Sequence, residues 1–250
     1  MTNPTTPSRL TRTHERGITT LTLDTPHNRN ALSAELVDEL TTALRRAAVD
    51  ADVRAVVLSH TGPTFSAGAD LKSPVNPYTF VDLLRALVEL PKPVLARVDG
   101  SARAGGLGLL GACDLVLAST DSTFAFTEVR IGVAPAIISL TLLPRMDARA
   151  ASRYYLTGER FDAAEATRIG LITEAVDDLD AGVAAVCESF RKAAPQGLAE
   201  AKRLVTARVL EAFERDAEDL VQRSASLFAS AAAREGMTAF FERRDAPWVL

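Results

Sequence analysis

Cysteine and histidine are scarce in this chain, and neither is grouped as metal or redox chemistry requires. Cys113 and Cys187 stand far apart, outside any C-x-x-C or Cys/His spacing, which speaks against a zinc site or a disulfide framework and for a reducing compartment. His14, His27 and His60 are equally scattered and read as surface or structural groups. No apolar run reaches the roughly 18 residues of a membrane span. The first ten residues, with three Thr and two Pro, lack the apolar stretch of a signal peptide, so a cytoplasmic protein is expected. A net charge of −4 gives no reason to expect nucleic-acid binding, and any anionic ligand needs a local basic patch.

What is present is an ordinary globular composition, 47% hydrophobic and 24% charged, over 250 residues that can bury a large core. Residues 1–12 read as a disordered lead. Strand signals follow at 17–23, 53–59, 94–98, 114–118, 123–126 and 171–176. Between the first two, Ser33 caps a helix over 34–49 with Val37, Leu40, Leu44 and Ala47 on one face. Strand, helix, strand is a crossover that favours parallel pairing. A helix is expected at 78–90 after a loop-like 73–77, and helical regions at 142–156 and 163–169. Beyond residue 180 the pattern turns helical, at 181–194, 198–209, 213–229 and 231–243. The organisation expected is therefore α/β, with a core over 1–195 and a helical region over 196–250 that needs a surface to cover, its own chain's or a neighbour's.

Two stretches carry the chemistry. Asp99 to Asp114 holds Gly100, Gly105, Gly106, Gly108 and Gly111 between two apolar runs, the pattern of a strand, a tight turn and a short helix. Backbone N–H groups at such a helix start are unpaired and can receive an oxygen that carries, or is gaining, negative charge. Thr64-Phe65-Ser66-Ala67-Gly68-Ala69-Asp70-Leu71-Lys72 repeats the arrangement after the run 53–58. Gly105-Gly106-Leu107-Gly108 is not a G-x-G-x-x-G and comes too late for a first β-α turn, which disfavours a dinucleotide site.

Together with Arg29-Asn30-Ala31-Leu32 and Phe126-Thr127-Glu128-Val129-Arg130-Ile131-Gly132, these stretches resemble the enoyl-CoA hydratase/isomerase (crotonase) family, in order from about residue 10 to the end. The resemblance implies a repeated β-β-α spiral core with C-terminal helices, and a homotrimer or a hexamer built as a dimer of trimers. It implies an acyl-CoA thioester as substrate and no separate cofactor or metal, coenzyme A being part of the substrate. Ala69 and Gly105 are then the two N–H donors of an oxyanion hole, the largest catalytic contribution expected. Glu128 is the proton carrier, its pKa raised beside an apolar acyl pocket. Ser66, Ala67, Gly68, Asp70 and Leu71, with Gly106 and Gly108, border the substrate; Arg29 meets the phosphates, with Lys72 a weaker candidate. A solvated loop cation is the alternative for Arg29.

One departure stands out. Hydratases of the family use two glutamates, and Gly108 stands in the place of the second. The segment from Glu128 to Ser139 resembles methylglutaconyl-CoA hydratase-like members, some of which share that glycine. Hydration or dehydration is the first expectation, isomerisation of the double bond between the 3 and 2 positions the second, and a low-activity acyl-CoA-binding protein the third. Arg103, where the family is commonly apolar, is expected in an ion pair with Asp99, Asp114 or a neighbouring subunit's acid; a carboxylate on the acyl group is the alternative.

Overall fold

Three times in succession the chain lays a strand into a long sheet, turns a corner, adds a short strand to a second sheet and leaves through a helical turn. The structure is a computed structural model and describes residues 8–250. In order come β1 (Leu10–Glu15), β2 (Ile18–Leu23), α1 (Ala34–Val49), β3 (Ala55–His60), β4 (Thr64–Ser66) and α2 (Pro77–Glu89). Next are β5 (Val94–Val98), β6 (Ser101–Arg103), α3 (Gly105–Ala112), β7 (Leu115–Ser119), β8 (Thr123–Ala125), a 3-10 turn (Glu128–Ile131) and α4 (Ser139–Leu142). They are followed by α5 (Ala148–Thr157), β9 (Phe161–Asp162), α6 (Ala163–Arg168), β10 (Glu174–Val176), α7 (Leu179–Lys192), α8 (Pro195–Phe228) and α9 (Ala231–Glu242).

The long sheet runs β1-β2-β3-β5-β7-β10 and the short one β4-β6-β8-β9. β3, β5 and β7 thus enter one sheet while their successors β4, β6 and β8 enter the other, which is the repeated β-β-α spiral. Pairing is parallel except β1 with β2 and β8 with β9. The corners lock onto one another: Asp99 N donates to His60 Nε2 at 2.9 Å and Gly100 N to Ser122 Oγ at 3.1 Å. His60 is accordingly a buried structural residue.

β3 is buried on both faces, with Val56 and Leu58 in the main core and Ala55 and Val57 under α7 beside Leu95 and Leu117. Parallel sheets covered by helices on both sides demand such unbroken apolar strands. α1 forms because Ser33 Oγ accepts the Leu36 N–H at 3.3 Å and Leu36, Val37, Leu40 and Leu44 recur on its inner face. Each of those leucines contributes about 1.5–3 kcal/mol by leaving water.

Two expectations are corrected. Residues 8–12 do not belong to a loose lead: Leu10 to Glu15 form edge strand β1, which the sequence hides because all but Leu10 are exposed. The part of the lead that covers 1–7 lies outside the described residues. The separate helices expected at 198–209 and 213–229 are one helix, α8, since Leu210-Glu211-Ala212 contains no breaker and Ala212 and Phe213 are buried on its inner face. α8 lies on α2 and α4, and Val209, Phe213 and Val221 join the main core of the same chain. Lys202 anchors it: its buried ammonium meets Asp114 Oδ2 at 2.8 Å and donates to the carbonyls of Leu87 at 2.8 Å and Lys92 at 3.1 Å.

Candidate active site

The site begins with a buried amide. Asn30 sits in the left-handed region, with φ of 52°, and its Oδ1 accepts the Thr25 N–H at 2.8 Å. Its Nδ2 donates to the carbonyls of Thr61 at 3.0 Å and Thr64 at 2.7 Å. Both ends of the side chain are therefore used to fasten the 25–30 turn to the start of β4. Ala67 N then donates to Arg29 O at 3.0 Å, and Leu32 N to Gly68 O at 2.8 Å.

These bonds aim the two donors. Leu32 pairs with Ala69 in a parallel bridge, so the bonds on Leu32 come from Gly68 O and Asp70 N, leaving the Ala69 N–H turned outward. Gly105 is the first residue of α3, where no intrahelical acceptor exists. Among the described residues neither N–H has a protein acceptor. They are also neighbours. A Cβ on Gly105 would stand 3.5 Å from Ala69 N, and one on Gly68 would stand 3.0 Å from Gly105 N. Gly68, at φ of 92°, is the residue that permits this approach. Ala104, just before Gly105, is held at φ of 46° and ψ of −123°, a strain of order 1–3 kcal/mol imposed at the turn that aims the second donor.

Ser66 is fully buried; its Oγ accepts the Gly68 N–H at 3.2 Å, and its backbone is so near α3 that a Cβ on Gly106 would meet Ser66 O at 2.8 Å. Ala67, Asp70 and Leu71 are half-buried along the same turn, and Asp70 Oδ1 accepts the Lys72 N–H at 2.9 Å and the Ser73 N–H at 3.3 Å. Arg29 and Lys72 are exposed and enter no ion pair among the described residues.

Glu128 comes from the neighbouring strand. β8 pairs with β6, Ala104 N donates to Ala125 O at 3.2 Å, and Glu128 opens the 3-10 turn three residues later. The side chain is buried and, among the described residues, Oε2 has no protein partner. Burial without a counter-charge pushes its carboxyl up to about 7, against which only its own backbone N–H acts. The Tyr155 hydroxyl, its pKa raised by burial, is the titratable neighbour that feels this carboxylate; it takes a 3.4 Å bond from Ser139 Oγ, and its ring packs tilted on Phe126 with centroids 4.6 Å apart. An unpaired buried carboxyl near neutrality can both accept and return a proton.

Position 108 is closed. A Cβ there would stand 2.4 Å from Ile138 Cγ2, and Thr141 Oγ1 donates to Gly108 O at 3.0 Å. Ile138 thus takes the volume any side chain at 108 would occupy. Among the described residues Arg103 pairs with neither Asp99 nor Asp114. Its guanidinium donates to the carbonyls of Ala102 and Thr123 and to Thr123 Oγ1, while Asp99 pairs with Arg97 and Asp114 with Lys202. Burial, with Arg160 nearby, lowers its pKa to about 10.

Sequence reasoning missed Asn30 as a fastener, Ile138 and Tyr155. For Asn30 the signal was its residue type, since asparagine tolerates the left-handed region that it adopts in the turn; for the other two the partners lie 30 and 27 residues away along the chain, beyond any local pattern. Two open hollows on the surface, one lined by Arg16, Asp52, Arg54 and Arg191 and the other by Arg9, Glu35, Asp38 and Glu39, include neither donor nor Glu128. In the first, Arg191 donates to Arg16 O and Arg54 to Ala193 O, so those guanidiniums already serve the fold. Among the described residues no three His, Cys, Asp or Glu side chains gather as a metal site, and no helix is long and apolar enough to cross a membrane.

The sequence profile of the enoyl-CoA hydratase/isomerase family matches residues 13–249. A crystal structure of an enoyl-CoA hydratase from Mycobacterium avium is 52% identical, covers 98% of this chain and 100% of its own, and superposes with a TM-score of 0.92. A carnitinyl-CoA hydratase from the same species is 29% identical, with 98% of this chain and 99% of its own covered and a TM-score of 0.87. A Rhodobacter capsulatus protein named "Probable enoyl-CoA hydratase" is 36% identical over 246 residues, 91% of this chain and 93% of its own. The paired turns, the spiral of β-β-α units and a match over nearly the whole length agree, and the chain belongs to the enoyl-CoA hydratase/isomerase (crotonase) family.

Proposed function

We propose that this protein is an enoyl-CoA hydratase-type lyase that adds water across, or removes it from, the 2,3 double bond of an acyl-CoA thioester. The thioester oxygen accepts from the Ala69 and Gly105 N–H groups. Glu128 takes a proton from water as the oxygen of that water bonds carbon 3, and the charge driven onto the thioester oxygen is met by the two donors. Protonated Glu128 then delivers its proton to carbon 2, which restores the carboxylate. One carboxylate performs both transfers, because Gly108 and Ile138 leave no room for a second.

The observation that carries this reading is the pair of adjacent N–H groups without protein acceptors, beside a strand that leads to an unpartnered buried carboxyl. Ser66, Ala67, Gly68, Asp70, Leu71 and Gly106 border the coenzyme A moiety and Arg29 its phosphates. The reaction uses no cofactor beyond that moiety, and the protein acts in the cytoplasm as a trimer or a dimer of trimers. A panel of acyl-CoA thioesters assayed for hydration, dehydration and double-bond migration, with Glu128→Gln alongside, tests it; hydration that survives Glu128→Gln unchanged overturns it.

The closure of position 108 favours a second reading, an isomerase in which Glu128 carries a proton from carbon 4 to carbon 2. A 3-enoyl-CoA then gains conjugated thioester absorbance, whereas water addition to a 2-enoyl-CoA destroys it. A third, an acyl-CoA-binding protein, requires Glu128→Gln to keep ligand affinity while no thioester in the panel turns over.

A further inference from the structure

Among the described residues Oε2 of Glu128 has no partner and the one polar group acting on the carboxyl is its own backbone N–H, so its position is inherited from the backbone of the 3-10 turn. That turn is clasped on two sides by glycines. On one side, Gly158 at the end of α5 approaches so closely that a Cβ there would stand 3.1 Å from Phe126 O and 3.2 Å from Val129 Cγ2. On the other, α9 lies on the turn itself. A Cβ on Gly236 would stand 2.5 Å from the carbonyl carbon and oxygen of Ile131 and 2.7 Å from its Cα. The contact is reciprocal, since a Cβ on Gly132 would stand 2.8 Å from the carbonyl carbon and oxygen of Ala232. These are backbone atoms, which cannot rotate aside as a side chain does. Within the turn, Val133 N donates to Glu128 O at 3.2 Å, tying the far end back to the residue that carries the carboxyl.

We propose that Gly236 is a positioning residue for Glu128, its missing side chain letting α9 seat the turn that presents the carboxyl to the substrate. The proposal rests on Glu128 being the proton carrier. Ala232, Ala233 and Gly236 of α9 lie against the turn, while its charged side chains are engaged elsewhere, Arg234 on the Ala229 carbonyl and Glu235 with Arg244, so α9 acts through placement and not through charge. The titratable neighbour is Tyr155, from α5, and Arg130 on the turn itself is exposed with its Nε beside Gly158. For ordinary contact of 3.4 Å or more, a methyl at 236 must part helix and turn by about 1 Å, and a misplacement of that size costs about 10²-fold in rate.

The experiment compares Gly236→Ala with the wild-type full chain, using a short-chain 2-enoyl-CoA as probe and following loss of conjugated absorbance across pH. Expected are a fall in kcat of about 10- to 100-fold, KM within about threefold, and an acid limb displaced to lower pH as the carboxyl gains water. Gly197→Ala, on α8 where a Cβ meets nothing within 4 Å, should match wild type in all three. A lower melting temperature for Gly236→Ala with kcat per folded molecule and acid limb unchanged overturns the proposal. If Gly236→Ala does not fold, Ser230→Ala, which removes the 3.1 Å cap on Ala233 N and loosens α9, takes its place. It should lower kcat by about two- to fivefold with the same displacement of the limb, and an unchanged profile again overturns the proposal. Glu128→Gln in the same assay separates the two ideas: full turnover there refutes the role of Glu128, whereas turnover lost there but unaltered in Gly236→Ala refutes only the role of Gly236.

Discussion

Ile138 stands where a side chain on Gly108 would begin, its Cγ2 2.4 Å from that point. The two residues therefore form one packing unit across α3 and the start of α4. Gly108→Ala is expected to destabilise the fold by about 1–3 kcal/mol, because the methyl meets both Cγ2 and Cβ of a buried β-branched residue. Pairing it with Ile138→Ala should recover part of that loss. Denaturant titration of both single variants and the double gives the coupling, expected at about 0.5–3 kcal/mol; strict additivity would contradict the contact.

The raised pKa of Glu128 sets two dependences on pH. A proton acceptor must be ionised, so turnover of an enoyl-CoA should rise through about pH 7 and level off above it. Stability runs the other way. The group binds its proton more tightly folded than unfolded, so its contribution is complete below the ordinary value of 4.5 and is lost as pH climbs through about 7. Glu128→Gln should accordingly gain stability relative to wild type between about pH 5 and 8, by up to about 3 kcal/mol, while losing about 10²- to 10⁴-fold in rate. Paired melting curves at both pH values check the first, and initial rates the second.

Gly105 occupies the first helical position, where proline is tolerated because the N–H it lacks has no helical acceptor. Gly105→Pro deletes one of the two donors. Loss of the donor alone costs about 3 kcal/mol of barrier, or about 10²- to 10³-fold in kcat, and the ring Cδ, set where the hydrogen pointed, adds to it. Far-ultraviolet circular dichroism establishes that the fold persists, and a kcat within a factor of a few of wild type would remove Gly105 from the site.

Lys202 and Asp114 are both buried, and burial lowers the one pKa and raises the other; the 2.8 Å contact and two carbonyl acceptors keep the ammonium charged. Lys202→Ala leaves the buried Asp114 carboxylate without its contacting cation, Arg145 acting only through space, and should cost about 3–5 kcal/mol. Lys202→Met together with Asp114→Asn should cost less than that single change, measured by chemical denaturation.

Legibility followed locality. α1 was readable because its cap, Ser33, and its buried stripe lie within one run of sequence, and the two donor turns because small residues cluster where backbones must approach. β1 was not, since the edge strand Leu10–Glu15 has almost no apolar face. The partners of Arg103 within the chain were hidden because sequence offers acids, while the fold sets Thr123 opposite Ser101, two residues back along β6, with its hydroxyl 2.8 Å from the guanidinium. Ile138 and Gly236 were invisible for the same reason: each matters through a contact with a residue far away along the chain, and glycine in a helix looks like a weakness until its neighbour is known.

The order of manufacture gives the seat of the 3-10 turn a consequence in time. Glu128 leaves the ribosome more than a hundred residues before Gly236. During that interval the acid has its strand but not the helix beneath it, so a nascent chain stalled short of α9 would carry every group of the chemistry and still be idle.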